Sequence, residues 1–186
     1  MSLQTAVALL ASIQPAGNEE RSLPEIKGRR IKTKTYYVAG NVADLSGNSN
    51  ETILSSALKE IGVTNIPTGG MLEKGKYFLC TEIRVLFDTT TADPKAALWA
   101  SVPPVQFKNG ELSVGQDGQP TLFESSGTDV TNFRASTGND DDFRALPSPF
   151  LWQPQKALTA KLAYVGAAPA TSSYKIEFRG FEIFQA

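Results

Sequence analysis

Asn109-Gly110 and Asp117-Gly118 stand eight residues apart, each between short runs in which apolar and polar residues alternate. Asn-Gly and Asp-Gly supply the positive φ angles that two-residue hairpin turns demand, so two such pairs in a row specify antiparallel strands. They predict that residues 105–108 pair with 111–115, and 111–115 with 119–124. A longer β signal precedes them. In residues 77–87, YFLCTEIRVLF, the odd positions Tyr77, Leu79, Ile83, Val85 and Phe87 form an apolar face broken only by Thr81. Glu82 and Arg84 face the other way, and the alternation places Cys80 opposite Ile83.

Weaker signals fill in the rest. Tyr36-Tyr37-Val38 reads as a short strand closed by Gly40-Asn41. Ser49 or Asn50 is placed to cap a helix over residues 51–61, with Ile53, Leu54, Ala57, Leu58 and Ile61 on one face and Gly62 at its C-terminal end. A polar loop over 125–142 holds a short strand around 130–133. The three prolines of residues 143–154, FRALPSPFLWQP, exclude a central strand. Two strands follow, at 157–165 and 174–184. In the last, the apolar parity is even at Ile176 and Phe178 and odd at Phe181 and Ile183, which predicts a β-bulge at Gly180. The whole reads as mainly β: an antiparallel β-sandwich of jelly-roll type with one or two short helices and an N-terminal arm.

The arm is residues 1–35, and the sandwich domain is 36–186. Leu3, Val7 and Leu10, with Ala6 and Ile13, recur at helical spacing before Pro15 and Gly17. No Lys or Arg precedes Arg21, whereas a secretory signal carries its basic region first, so an uncleaved amphipathic helix is the better reading and an export signal the alternative. The apolar run here is far short of a membrane span. Lys27, Arg29, Arg30, Lys32 and Lys34 then crowd into eight positions. Residues 18–34 carry a net +3 within a chain of net −1. That composition reads as an extended linker, or as an arm that docks on an acidic surface such as the 111–142 region of a neighbouring copy.

Composition excludes several chemistries. The chain has no histidine and one cysteine. His-based triads, His-ligated zinc, an imidazole base, an intrachain disulfide and CxxC metal sites are therefore ruled out. Asn139-Asp140-Asp141-Asp142 lacks the alternating ligands and distal Glu of a calcium loop. Gly69-Gly70 begins no phosphate loop. No catalytic, cofactor-binding or metal residue is assigned, and no cofactor is expected. A net charge of −1 argues against a polyanion binder acting through its whole surface, so nucleic-acid contact would be indirect. Trp99 and Trp152 lie beside prolines in apolar contexts, which favours packing over a sugar-stacking role.

Residues 72–184 add an order of elements that matches a known group. Leu72-Glu73-Lys74-Gly75 leads into the 77–87 run, VQFKNGELSVGQDGQPTLFE follows, then Leu146-Pro147 and Trp152-Gln153-Pro154, and finally Phe178-Arg179-Gly180-Phe181. This order resembles jelly-roll virion proteins, especially capsid or capsid-associated proteins of bacterial viruses. The resemblance implies a self-assembling structural subunit located in the virion. Its partners would be other copies and other virion proteins, without a small-molecule substrate or enzymatic activity. The alternative is a carbohydrate- or ligand-binding β-sandwich module, motivated by the two tryptophans and the Asn/Asp-rich loop.

Overall fold

The alternating run at 77–87 becomes a strand, and two antiparallel sheets form around it. The computed structural model describes residues 29–42, 51–52, 59–119, 121–130, 143–164, 166 and 171–185, with Gln4, Thr5 and Ala8. Among these, the strands are β1 (Arg29–Asn41), β2 (Glu51–Thr52), β3 (Tyr77–Asp88), β4 (Glu111–Gln116), β5 (Phe123–Ser126), β6 (Arg144–Trp152), β7 (Leu158–Ala163) and β8 (Ser173–Gln185). Two one-turn helices, α1 (Val105–Lys108) and α2 (Gly127–Val130), and a 3-10 turn at Thr68–Gly70 accompany the strands, and Gln4, Thr5 and Ala8 are also helical. The first sheet has the order β1-β8-β3-β6 and the second β2-β7-β4-β5. The pairs 1/8, 2/7, 3/6 and 4/5 are nested, and successive pairs fall in opposite sheets.

The core lies between the sheets. Tyr36, Val38, Phe78, Ile83, Val85, Phe87, Trp152, Ile176 and Phe178 from the first sheet meet Leu112, Val114, Leu158, Ala160 and Leu162 from the second. Each large side chain here contributes roughly 1.5–3 kcal/mol by leaving water. Tyr36 sets its ring edge-on to Phe78 at 4.9 Å and to Trp152 at 5.3 Å.

Several expectations are corrected. Residues 105–108 are helical because Pro104 opens a turn whose carbonyl accepts from Phe107 and Lys108. The turn carries Phe107 inward against Phe87 and Tyr164, at 4.4 and 4.7 Å. Asn109 has φ −90° and ends that turn, so Asn109-Gly110 makes no hairpin. The Asp117-Gly118 hairpin does form, between β4 and β5. Only Gly118 has positive φ, +69°, and pairing resumes at Phe123, so the connection is longer than two residues. Residues 127–130 are helical rather than the start of a strand, and 131–133 lie outside the described residues. Of the helix expected over 51–61, Glu51 and Thr52 are strand, Glu60–Val63 is a hydrogen-bonded turn, and 53–58 lie outside the described residues. Ile61, expected on its apolar face, is exposed.

The bulge is real but sits in a different strand. Across β1 the pairing of β8 runs without a shift from Ser173 to Gln185. Across β3 it shifts between Cys80 and Glu82, leaving Thr81 as the extra residue. The bulge reverses the parity of β3: Phe78 and Cys80 face the main core with Ile83, Val85 and Phe87, while Leu79 faces away. Cys80 therefore shares the face of Ile83. Because β8 is regular, Ile176 and Phe178 face the core, and Phe181 and Ile183 pack on the opposite side of the sheet. β6 opposes the same place with a pairing gap from Ala145 to Phe150, which holds Pro147 and Pro149. A strand carrying two prolines is tolerated because β6 is an edge and the prolines fall where no ladder bond is made.

Candidate functional site

The basic cluster was expected to be a free arm, and the structure places four of its five members in β1. Lys27 lies outside the described residues. The 35/36 boundary therefore falls inside a thirteen-residue strand. The signal was available in the sequence: Ile31, Thr33 and Thr35 alternate with Lys32, Lys34 and Tyr36, a period of two with β-branched residues on one face. Lys32 Nζ pairs with the Glu182 carboxylate at 2.7 Å, and Tyr36 donates to the same carboxyl at 2.7 Å. Lys34 Nζ lies 5.3 Å from the Tyr36 ring centre. Arg29 stands over Tyr77 at 5.5 Å, and Arg30 is exposed. Arg29, Lys32 and Lys34 thus make contacts within the chain.

β1 is an edge strand, and its second half is closed. Asn65 accepts from Tyr37 N–H and donates to the Thr35 carbonyl, both at 2.8 Å, and Ala39 N–H donates to the Val63 carbonyl at 2.7 Å. A side-chain amide here does the work of a neighbouring strand, which blunts the edge.

The outer face of the first sheet, turned away from the core, is the richest surface in interacting groups. Pairing sets Arg84 beside Glu177 and Glu82 beside Arg179. Arg84 donates to Glu177 at 2.8 and 2.5 Å, Lys175 pairs with Glu177 at 2.7 Å, and Arg179 pairs with Glu82 at 3.2 Å. The Phe143 ring lies 3.5 Å from the Arg179 guanidinium and 4.3 Å from that of Arg84. Lys175 sits 4.8 Å from the Tyr37 ring and 5.7 Å from that of Trp99. Arg84, Lys175 and Arg179 therefore each meet both a carboxylate and an aromatic ring within the chain. Trp99 has φ +58°, a left-handed conformation unusual for a bulky residue, and belongs to the loop held by Asp88, which accepts from Thr90 and Leu98. The hydrogen bond from the Thr90 side chain is the main cause that holds the Asp88 carboxyl below its ordinary range.

Trp152 is fully buried, and its Nε1 donates to the Lys156 carbonyl at 3.0 Å, so it is core rather than a platform. Cys80 is buried, and burial pushes its thiol up, away from nucleophile chemistry. The Asn139–Asp142 peptide lies outside the described residues. Among the described residues no group of three or more acidic or cysteine side chains is placed to hold a metal ion, and no helix is long and apolar enough to cross a membrane. On the outer face of the second sheet, Ser113, Gly115, Asp117, Gln119, Thr159 and Lys161 line a polar groove of about 270 Å³.

Two buried carboxylates give the first prediction. Burial pushes Glu177 and Glu182 up, but Lys175 and Arg84 beside the one, and Lys32 and Tyr36 beside the other, more than offset it and hold both carboxyls below the usual range. A depressed folded value contributes stability that is present above the unfolded carboxyl value of about 4.3 and lost as pH falls through the folded value. Glu182→Gln should therefore destabilise the fold at pH 7 and make less and less difference below about pH 4. Denaturant midpoints at pH 7 and pH 3 check this, and a difference that stays constant would exclude the ionised carboxylate as its cause.

No protein-family model matches the chain, and no curated protein is detectably similar to it.

Proposed function

We propose that the chain is a jelly-roll structural subunit of a virus particle, which assembles with copies of itself and with other virion proteins and acts on no substrate. The nested strand order carries this reading. A jelly roll is a long hairpin wound so that successive strand pairs fall in opposite sheets, and pairs 1/8 and 3/6 in one sheet with 2/7 and 4/5 in the other follow that winding. Jelly rolls recur in virion shells and in sugar-binding domains, so the functional step rests on what the surface offers. Here the surface offers a ladder of paired charges and rings on one sheet and basic residues along an edge strand. The chain has no histidine, and its one cysteine is buried.

Mass measurement in solution with electron microscopy of the same sample tests the reading. The expected result is closed oligomers or larger shells whose association weakens as salt rises, since exposed charge pairs are screened over about 8–10 Å near physiological ionic strength. Arg30→Glu should weaken association in the same direction without unfolding the subunit, because Arg30 is exposed. A monomer at every concentration would overturn it. The polar groove favours a second reading, a glycan-binding module. The Gln116 amide at its edge is buried, with Nε2 making no hydrogen bond among the described residues. Saturable glycan binding by a monomer, lost in Lys161→Ala, would decide for that reading.

A further inference from the structure

β1 lies at the rim of the first sheet and pairs with β8. In an antiparallel ladder, residues of one parity bond the partner strand and those of the other parity point away from it. The second half of β1 shows which is which. The N–H groups of Tyr37 and Ala39 and the carbonyls of Thr35 and Tyr37 turn away from β8 and are taken up by residues 63–65. The same parity sends outward the N–H and C=O of Ile31 and Thr33 and the N–H of Thr35. Among the described residues none of these groups has a hydrogen-bond partner. Arg30, Lys32 and Thr33 are exposed, so this half of the edge is open to solvent.

We propose that the edge Ile31–Thr35 is a docking site for an extended acidic segment of another chain, which adds to the first sheet as a further strand. An open edge offers main-chain hydrogen bonds to any extended chain, and the side chains decide which chain is accepted. Here Arg30, Lys32 and Lys34 stand on one face of the strand, with Ile31, Thr33 and Thr35 on the other. A guest with carboxylates at alternate positions sets them beside those cations, and β-branched residues between them lie against Ile31, Thr33 and Thr35. Lys32 already meets Glu182 at 2.7 Å, yet 53% of its side chain is exposed, which leaves it within reach of a guest carboxylate. The same geometry disfavours antiparallel pairing with a second copy of β1. Joining the outward groups of two copies sets odd positions opposite odd and even opposite even, so cations would face cations. The far edge of the first sheet, β6, offers a poorer ladder, since Pro147 and Pro149 have no N–H to give. Such a site needs only the folded subunit, and it stands whether or not the chain builds a virus particle.

Titration of the full chain with a synthetic peptide alternating glutamate and valine tests the site, with amide hydrogen exchange as the readout. The expected result is saturable binding that slows exchange at Ile31, Thr33 and Thr35 several-fold. Exchange at Lys32 and Lys34, whose amides face β8, should stay unchanged. The same peptide N-methylated at its valine amides keeps the charges without the ladder donors, and should bind several-fold more weakly. Thr33→Pro removes the central outward N–H while leaving the bonds to β8, so it should weaken binding in a subunit that still folds. Arg30→Glu should weaken binding of the glutamate peptide and strengthen that of a lysine–valine analogue. Binding that survives N-methylation, or that leaves the outward amides unprotected, would overturn strand addition. Equal binding of the lysine–valine peptide to the parent, or tighter binding of a single-stranded oligonucleotide, would overturn the acidic guest. No binding of the glutamate peptide would overturn the proposal outright.

Discussion

Valine in place of Gly180 should destabilise the fold by about 3 kcal/mol or more, the upper end of what overpacking costs. At the β3 bulge the Leu79 carbonyl turns toward β8, and a Cβ on Gly180 would lie 1.9 Å from that oxygen and 3.0 Å from Cys80 Cα. No side-chain rotation relieves a clash with backbone; β3 itself would have to retreat, opening the center of the first sheet. Gly166→Ala is the contrast. Gly166 has φ +82° with nothing within 4 Å of an added methyl, so it should cost only the left-handed penalty of about 1–2 kcal/mol. Denaturant midpoints of the two variants check the order. A Gly180→Val protein as stable as the parent would mean that the bulge does not hold the two backbones together.

Trp152→Ala should be as damaging, at about 3–5 kcal/mol, because it empties the largest fully buried side-chain volume in the core. The ring sits edge-on to both Tyr36 and Phe78, and its removal leaves the Lys156 carbonyl without the hydrogen bond that Nε1 donates. Trp152→Phe should recover most of the packing but not that bond, leaving a cost of about 1–2 kcal/mol. Trp99→Ala, by contrast, removes a half-buried residue from a surface loop and should change the midpoint little. Thermal unfolding of the three variants separates the roles. If Trp152→Ala left stability intact, the side chain would have to be a surface platform after all.

The alternating strands were legible, and the places where the alternation breaks were legible only as breaks. The parity change at Gly180 admits two causes: a bulge in β8, or two buried faces on a regular strand. A single chain cannot choose between them, because the choice depends on whether something covers the second face. The structure has the second cause, with the bulge moved to the partner strand at Thr81, where no glycine announces it. β1 was hidden for a different reason. Its lysines read as a solvated run, yet an edge strand at the rim of a sandwich keeps charged heads wet while its backbone pairs with β8. The helical turn at Val105–Lys108 shows tertiary packing overriding a local turn signal. Asn109-Gly110 favours a hairpin, but Phe107 fills the space between Phe87 and Tyr164, and the chain bends to deliver it. The charge ladder of Arg84, Glu177, Arg179 and Glu82 could not be read from composition, since its pairs lie more than ninety positions apart.

The nested pairing also fixes an order of events during synthesis. Among the described residues, every strand pair of the second sheet lies between residues 51 and 163, so those strands are all made before β8 emerges. The first sheet has only the β3–β6 pair by then, because β8 sits between β1 and β3, pairing with β1 from Ser173 to Gln185 and with β3 from Ser173 to Ile183. β1 must therefore wait without β8, its second half held only by residues 63–65, while more than 130 further residues emerge before Ser173 arrives. Closure over so long a separation is slow, and the waiting chain exposes a strand edge that other nascent chains can capture. A ribosome that stalls before Ser173 would release a molecule with one finished sheet and one that cannot be completed.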